Sequence, residues 1–512
     1  MAKRKTKSNP SLSPPPPSHF PWPLSSSPPL ATAATICLFS LLVRVMVSLG
    51  PYSGQGVPPK FGDYEAQRHW MEITLHLPPS DWYRNSSHND LLYWGLDYPP
   101  LSAYQSRVHG LILNASLPES VALRSSRGFE SHASKLLMRW TVLLSDLAVF
   151  FPAALYFLWA YSQSNFGEKR AIMWLLAMIL LNPCLVLIDH GHFQSNCISL
   201  GLTLGAVAAI LLNNDVVGSI LFTLAMNHKQ MSLYYAPAFF GHLLGKCFKR
   251  NYSILHVMKL GFVVLATFAF VWWPYIHSTE ALFEVVFRLA PFERGIYEDY
   301  VANFWCSTSV FIKWKRLFTV EPLKLMSLSL TVLTFLPSLV QQVKYPSNLG
   351  FLYALMNSSF SFFLFSFQVH EKSILLPVLP ASLLALQEPQ LYSWLTYYSL
   401  FSMYPLICRD KLLLQYIASL GLFLLVFYSP DRAHSGVNRS RLYYKNLIWF
   451  VPLLGSVVLH AVYLLVKPPE KYPYLFEALM MLLSFSQFVF FTLYSNIKQW
   501  KMSWYASGKK DL

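Results

Sequence analysis

The stretch FGDYEAQRHWMEITLHLP, residues 61 to 78, sets five ionisable side chains (Asp63, Glu65, Arg68, His69 and Glu72) within ten positions, directly after the first apolar run. Asp63 follows Gly62 and precedes a segment with helical spacing, so its plainest role is an N-cap, the carboxylate accepting from backbone N–H groups. A carboxylate held that rigidly can also act as a general base, taking the proton of an incoming hydroxyl. Glu65, Arg68 and Glu72 fit the wet face of the same helix, with Arg68 and Glu72 at i,i+4 spacing.

Further chemistry-bearing clusters follow at the ends of apolar runs. YWGLDYPPLSAY (93 to 104) places Asp97 and Tyr98 before two prolines that disfavour helix, which gives either a fixed turn with a solvated Asp97 or a stiff platform for a ligand. IDHGHFQSN (188 to 196) gathers Asp189, His190, His192, Gln194 and Asn196. No zinc-type spacing is present, so hydrogen bonding to hydroxyl or phosphate oxygens is the expected use rather than metal binding. NHKQM (227 to 231) and VHEKSIL (369 to 375) contribute His228, Lys229, Gln230, His370, Glu371 and Lys372. Ionisable groups at membrane depth are functional candidates by default, the alternative for the two lysines being snorkelling to the interface.

The elements that must position these residues are membrane helices. The chain is 54% hydrophobic and only 13% charged, with mean hydropathy +0.36, well below the roughly 25% charge of soluble domains. Apolar runs of about 20 residues, each enough to cross a bilayer as a helix, recur from residue 30 to 495. They lie near 30–49, 137–161, 171–188, 196–213, 216–227, 231–245, 258–276, 322–342, 349–369, 373–388, 391–408, 411–428, 446–466 and 474–495. The reading is an all-α polytopic protein of about 14 spans, with twelve as the competing count because several runs are short.

The net charge of +15 sits mainly in short loops and tails, a topology signal rather than a nucleic-acid footprint. The six cysteines form no C-x-x-C pair, so neither a zinc site nor a disulfide framework is expected. Residues 1–29 read as a disordered basic and proline-rich tail, and 496–512 as a second tail. Lys3, Arg4, Lys5 and Lys7 place the N-terminus in the cytosol by the positive-inside rule, so the long loop 51–136 faces the opposite side. Alternation then puts the clusters at 190–196, 228–230, 277–306 and 370–373 on that same side, and the basic loops 245–251 and 431–445 in the cytosol. Ala66, Trp70, Ile73 and Leu77, and again Leu101, Tyr104, Val108 and Leu111, have the spacing of amphipathic helices on the bilayer surface. Of the sequons, Asn85 and Asn114 fall in the long loop and are the glycosylation candidates.

GDYEAQRHWMEIT, YWGLDYPPLSAY, HGHFQSN, NHKQM and VHEKSILLPVLP, in that order, resemble the endoplasmic-reticulum glucosyltransferases that build the lipid-linked oligosaccharide of N-glycosylation. The match runs from about residue 30 to 500, and GDYEAQRHW with YWGLDYPPL is similar to the branch that adds the first glucose; the second-glucose branch is the alternative. The resemblance implies a GT-C fold and inverting alpha-1,3 transfer from dolichyl-phosphate-glucose to a dolichyl-diphosphate-linked oligosaccharide, without a metal cofactor. It implies Asp63 as base. His370, Glu371, Lys372, His190, His192, Gln194, Lys229 and Gln230 are then candidates for the donor phosphate and sugar, and Glu65, Arg68, Asp97 and Tyr98 for positioning the acceptor. The closing Lys509-Lys510-Asp511-Leu512 resembles a dilysine retrieval signal, which puts both termini in the cytosol and the site in the lumen. A transporter or flippase also has many spans, but its polar groups belong near the midplane rather than on one face.

Overall fold

A computed structural model describes residues 29–164, 171–290, 300–428 and 442–508. The N-terminal tail as far as residue 28, residues 431–441 with the Asn438 sequon, and the Lys509–Lys510 pair lie outside the described residues. Every regular element among the described residues is helical, the form in which a chain satisfies its own backbone in hydrocarbon.

Among the described residues, seven helices are long and apolar enough to cross a membrane: Leu30–Ser48, His132–Gln163, Ile172–Phe193, Ser253–Val271, Val320–Lys344, Asn348–Phe365 and Leu475–Met502. Other expected runs form shorter helices, among them Asn196–Leu211, Asp215–His228, Ala236–Phe248, Leu375–Leu383 and Leu413–Phe427. Local breakers shorten them: Asn213 takes a left-handed φ of 62° after Asn196–Leu211, and Pro377 and Pro380 sit within Leu375–Leu383. The last helix runs on to Gly508 instead of ending near 495.

The centre of the bundle is one continuous apolar cluster fed by Phe151–Gln163, Ile172–Leu180, Asn196–Leu211, Asn348–Phe365 and Leu375–Leu383. Ser253–Val271 is the opposite case: 6% of its apolar window is buried, against 83% for Ile172–Phe193. Its Ile254, Met258, Phe262 and Leu265 project outward, an arrangement costly in water and natural against lipid tails. Three spans also share a buried charge cluster. Arg44 pairs with Asp146 and donates to the Leu180 carbonyl at 2.7 Å, and His190 Nε2 lies 3.0 Å from Asp146. Charges at this depth persist only when paired, so His190 belongs to this structural cluster. At one end of the bundle Asp215 binds Lys246 and Arg250, which joins the turn after Asn196–Leu211 to the basic loop 245–251.

The long first loop folds into helices Gly62–His76, Leu91–Trp94 and Pro100–Ser116. Ala66, Trp70 and Ile73 pack with Trp82, Leu96, Tyr275 and Val285, as their spacing requires. The opposite face is not wet. Glu65, Arg68 and Glu72 are at most 1% exposed, because residues 117–130 fold over them. Arg68 donates to Glu65 at 2.7 Å, to Glu72 at 2.8 Å and to the Ser120 carbonyl at 3.1 Å. Glu72 accepts from Arg124 N at 2.7 Å, and Glu65 from Gly128 N at 3.1 Å. Burial alone would raise the Glu72 carboxyl, yet His69, Arg68 and the Arg124 amide bring it down to about 2. The helix is therefore a buried strut, not a surface helix. Pro100–Ser116 does keep Val108, Leu111 and Ile112 uncovered, and Tyr104 Oη reaches the Val271 carbonyl at the end of a lipid-facing helix, 2.8 Å away.

Candidate active site

Asp63 opens the buried strut without capping it. The residue before the helix is Phe61, in the left-handed region (φ 52°), and no side chain caps there. Gly62 follows at φ +63°, a conformation that glycine adopts without strain. This double left-handed entry aims Asp63 at two distant segments, the end of Ile172–Phe193 and the turn Glu371–Ile374.

Three side chains converge on one oxygen of Asp63. Lys372 Nζ is 2.5 Å from Oδ2, His192 Nε2 is 3.1 Å away, and Gln194 Nε2 donates to the same atom. Among the described residues no hydrogen bond reaches Oδ1, and 23% of the side chain remains open. Oδ2 is the anchor, and Oδ1 is left for a ligand. Burial opposes ionisation of Asp63, but Lys372 and His192 outweigh it and hold the carboxyl well below the usual range. Burial likewise works against the Lys372 ammonium, and Asp63 raises its pKa in spite of this.

The network continues beyond Gln194. Its Oε1 accepts from Lys229 Nζ at 2.8 Å, Lys229 also donates to Asn196 at 2.8 Å, and Asn196 donates to Asp189 at 2.7 Å. Lys229 is 4% exposed; burial drives its pKa down, Asp189 pulls it partly back, and it rests at about 8. Its ammonium lies 4.8 Å from the Tyr98 ring centre. The segment carrying Lys229 is fixed against Pro100–Ser116, by Ser102 on the His228 carbonyl and by His228 Nε2 on Gln105 at 2.9 Å.

A small pocket borders Lys372, whose ammonium holds the carboxylate; Asn196, Ser199, Lys229, Ser232, Lys372 and Ser373 line its polar side. Leu200, Met231, Leu375 and Leu376 form its apolar walls. The Ser232 hydroxyl is buried with no hydrogen-bond acceptor among the described residues. Two ammonium groups, free hydroxyl capacity and leucine walls are complementary to a phosphate attached to a lipid.

The remaining sequence candidates have other places. Glu371 supports the charge of Lys372, and His370 precedes it, half-buried. Gln230 donates to the Asp97 carbonyl at 3.0 Å, and Tyr83 to that of Tyr98 at 2.7 Å. These bonds, with Arg288 on the Leu96 carbonyl at 3.1 Å, make the 95–98 segment a fixed turn. Gln230 thus serves that turn rather than the Asp63 cluster, and the Tyr98 ring lies against Lys229. Glu65 and Arg68 are enclosed in the strut and position the loop around them. The 277–306 segment enters as the helix Thr279–Leu289, whose Arg288 clamps the turn; 291–299 lie outside the described residues. Asn85 and Asn114 are exposed. Among the described residues no group of three His, Cys, Asp or Glu side chains is arranged to hold a metal ion.

Two participants escape sequence reasoning. Asp410 contacts His192 Nδ1, and Arg139 donates to the Pro51 and Gly191 carbonyls at 2.8 Å each. The available signal for Asp410 was the charged triplet Arg409-Asp410-Lys411, which interrupts two apolar runs on the face where the other clusters gather.

Residues 38–494 match the model of the ALG6, ALG8 glycosyltransferase family. The chain belongs to that family. It is 59% identical to a protein of Arabidopsis thaliana named "Probable dolichyl pyrophosphate Man9GlcNAc2 alpha-1,3-glucosyltransferase", over 94% of this chain and 92% of the relative. Relatives of Mus musculus (42% identical; 91% and 96% covered) and Saccharomyces cerevisiae (41%; 93% and 92%) are named "Dolichyl pyrophosphate Man9GlcNAc2 alpha-1,3-glucosyltransferase". As a member of this glycosyltransferase family, the chain presents a carboxylate beside a cationic pocket at the helix ends of a polytopic helical bundle.

Proposed function

We propose that the protein transfers the first glucose from dolichyl-phosphate-glucose to the Man9GlcNAc2 oligosaccharide on dolichyl diphosphate, forming an alpha-1,3 linkage with inversion. The observation that carries this is Lys372, whose ammonium both holds Asp63 Oδ2 and lines the cavity shared with Lys229. Supporting the acceptor assignment are the names of the relatives, each an alpha-1,3-glucosyltransferase named for Man9GlcNAc2. The site faces the lumen of the endoplasmic reticulum and both termini the cytosol. The spans number about fourteen in a GT-C arrangement, and Asn85 and Asn114 carry glycans.

In this mechanism the acceptor hydroxyl gives its proton to Asp63 Oδ1 as its oxygen forms the bond to glucose C1. The bond from C1 to the phosphate oxygen breaks on the opposite face, and the phosphate departs with the electron pair. Lys229, Lys372 and the serine hydroxyls of the cavity stabilise that growing charge. They supply what a divalent ion would otherwise provide, so the reaction proceeds without metal. The low affinity of Asp63 for protons suits a late transfer, when the attacking oxygen is already acidified by its new bond. As Asp63 becomes neutral its hold on Lys372 weakens, and the ammonium turns to the leaving phosphate.

Purified protein in detergent, given dolichyl-phosphate-glucose with EDTA, should glucosylate the Man9GlcNAc2 acceptor and not its monoglucosylated form. Product from the monoglucosylated acceptor alone would assign the second-glucose reaction; no product from either would reject glucosyl transfer. The pH profile carries a second expectation. An ammonium with a pKa of about 8 is charged below that pH and lost above it, so kcat/KM should fall on the alkaline side as pH rises through about 8. Lys229→Arg, which stays charged, should move that limb upward. An unmoved limb would show that Lys229 does not supply the needed charge.

A further inference from the structure

We propose that Asp410 is a positioning residue for the transfer reaction: through His192 it fixes the anchor oxygen of Asp63, so that Oδ1 is the oxygen presented to the acceptor. This rests on the reading of Asp63 as base.

The three groups form an uninterrupted line. Asp410 Oδ2 contacts His192 Nδ1, and His192 Nε2 lies 3.1 Å from Asp63 Oδ2 and 3.2 Å from Lys372 Nζ. The side chains of His192 and Asp410 are 3% and 4% exposed, so this is no surface ion pair whose worth is lost to solvent. The backbone around His192 is held independently. Arg139 binds the Gly191 carbonyl at 2.8 Å, and Gln67 binds that of Phe193 at 3.1 Å. Phe193 takes φ 89°, a strained value for an aromatic residue that persists where the surroundings overdetermine it. Gly191 lets the Asp410 segment approach: a Cβ there would stand 3.2 Å from Leu412 Cδ1. With its backbone fixed, the ring still needs an orientation and a tautomer.

Asp410 settles both. A carboxylate on Nδ1 requires a proton there and turns Nε2 toward Asp63. If the ring is an imidazolium, Nε2 donates to Oδ2; if it is neutral, Nε2 accepts from Lys372, which continues to bind Oδ2. In either state Oδ2 stays engaged and Oδ1 stays available. An amide at position 410 can instead donate to Nδ1, which permits the opposite tautomer and loosens this registry. Asp410 touches no reacting atom in the scheme, so its effect passes entirely through His192.

The test compares wild type, Asp410→Asn, Asp410→Glu, His192→Gln and the Asp410→Asn/His192→Gln double variant in steady-state transfer, with thermal unfolding in detergent as the check on folding. Asp410→Asn should lower kcat about 10- to 100-fold, the range for removal of carboxylates that orient metal-bound histidines, with KM for both lipids within twofold of wild type. Asp410→Glu, which retains the carboxylate, should recover a measurable part of kcat, and the double variant should be no slower than His192→Gln, as for groups acting in one line. Wild-type kcat in folded Asp410→Asn, or losses that multiply in the double variant, would overturn the proposal. Should Asp410→Asn unfold, the comparison passes to Asp410→Glu against His192→Gln: a folded glutamate variant as slow as His192→Gln equally overturns it. Asp63→Asn in the same assay reports on the parent reading, because wild-type turnover there would remove the base while leaving the His192–Asp410 comparison readable.

Discussion

Asp63→Asn is expected to reduce kcat by about 10³-fold, within the 10²- to 10⁴-fold range of general-base catalysis, while the protein folds and retains the donor lipid. The variant keeps the shape of the side chain and removes only its charge and its ability to take a proton. Folding should survive because Asp63 is not a cap and contributes no buried apolar surface; the strut behind it is held by Arg68, Glu65 and Glu72. Lys372 would lose its closest anion but remain near Glu371 and Asp410. The measurement is single-turnover transfer with separately determined donor binding. Turnover within tenfold of wild type in folded Asp63→Asn would eliminate Asp63 as base.

Lys372→Met is expected to lower kcat/KM about 10²- to 10³-fold, the effect of removing one preorganised group from a developing charge. Here the loss divides differently. The donor KM should rise as well, since the ammonium lines the cavity assigned to the phosphate. The pH profile should also change, in a direction set by the contacts. Lys372 is the foremost group holding the Asp63 pKa down, so its removal must raise that pKa. Wild type keeps Asp63 ionised well below the usual carboxylate range, and its activity should show no acid limb from this group within that range. In Lys372→Met the residual activity should acquire an acid limb, falling as pH decreases through the raised pKa. Unchanged donor KM and kcat in a folded variant would leave Lys372 as a snorkelling lysine only.

Much of this site could be read along the chain. Asp63, His192, Gln194, Lys229 and Lys372 stand at the ends of apolar runs, and a charge there is costly unless it is used or paired. Placing the runs in alternation was enough to put all five on one face, and there they meet. The same reasoning misplaced Glu65 and Arg68, because i,i+3 and i,i+4 charges look alike whether the face is wet or covered. What covers it is a segment some fifty residues later, reached by Arg68 at Ser120 and by Glu72 at Arg124. His190 was misplaced for a related reason: it lies two residues from His192, and on a π-helical turn the pair diverges, one toward Asp146 and the other toward Asp63.

By itself the sequence determined that the chain is a set of membrane helices with clusters of ionisable groups gathered at helix ends and in loops, because hydrophobic periodicity and the cost of charge in lipid act locally. Only the tertiary structure decided which groups touch. The bonds from Asp63 to His192 and Lys372, and from His192 to Asp410, span 129, 309 and 218 residues, and no local rule chooses among the charges available at that face. The choice follows from how the helices pack: Gly191 admits Leu412, and the left-handed turn at Phe61–Gly62 aims Asp63. One oxygen of the carboxylate is thereby anchored, and the other accepts no hydrogen bond among the described residues.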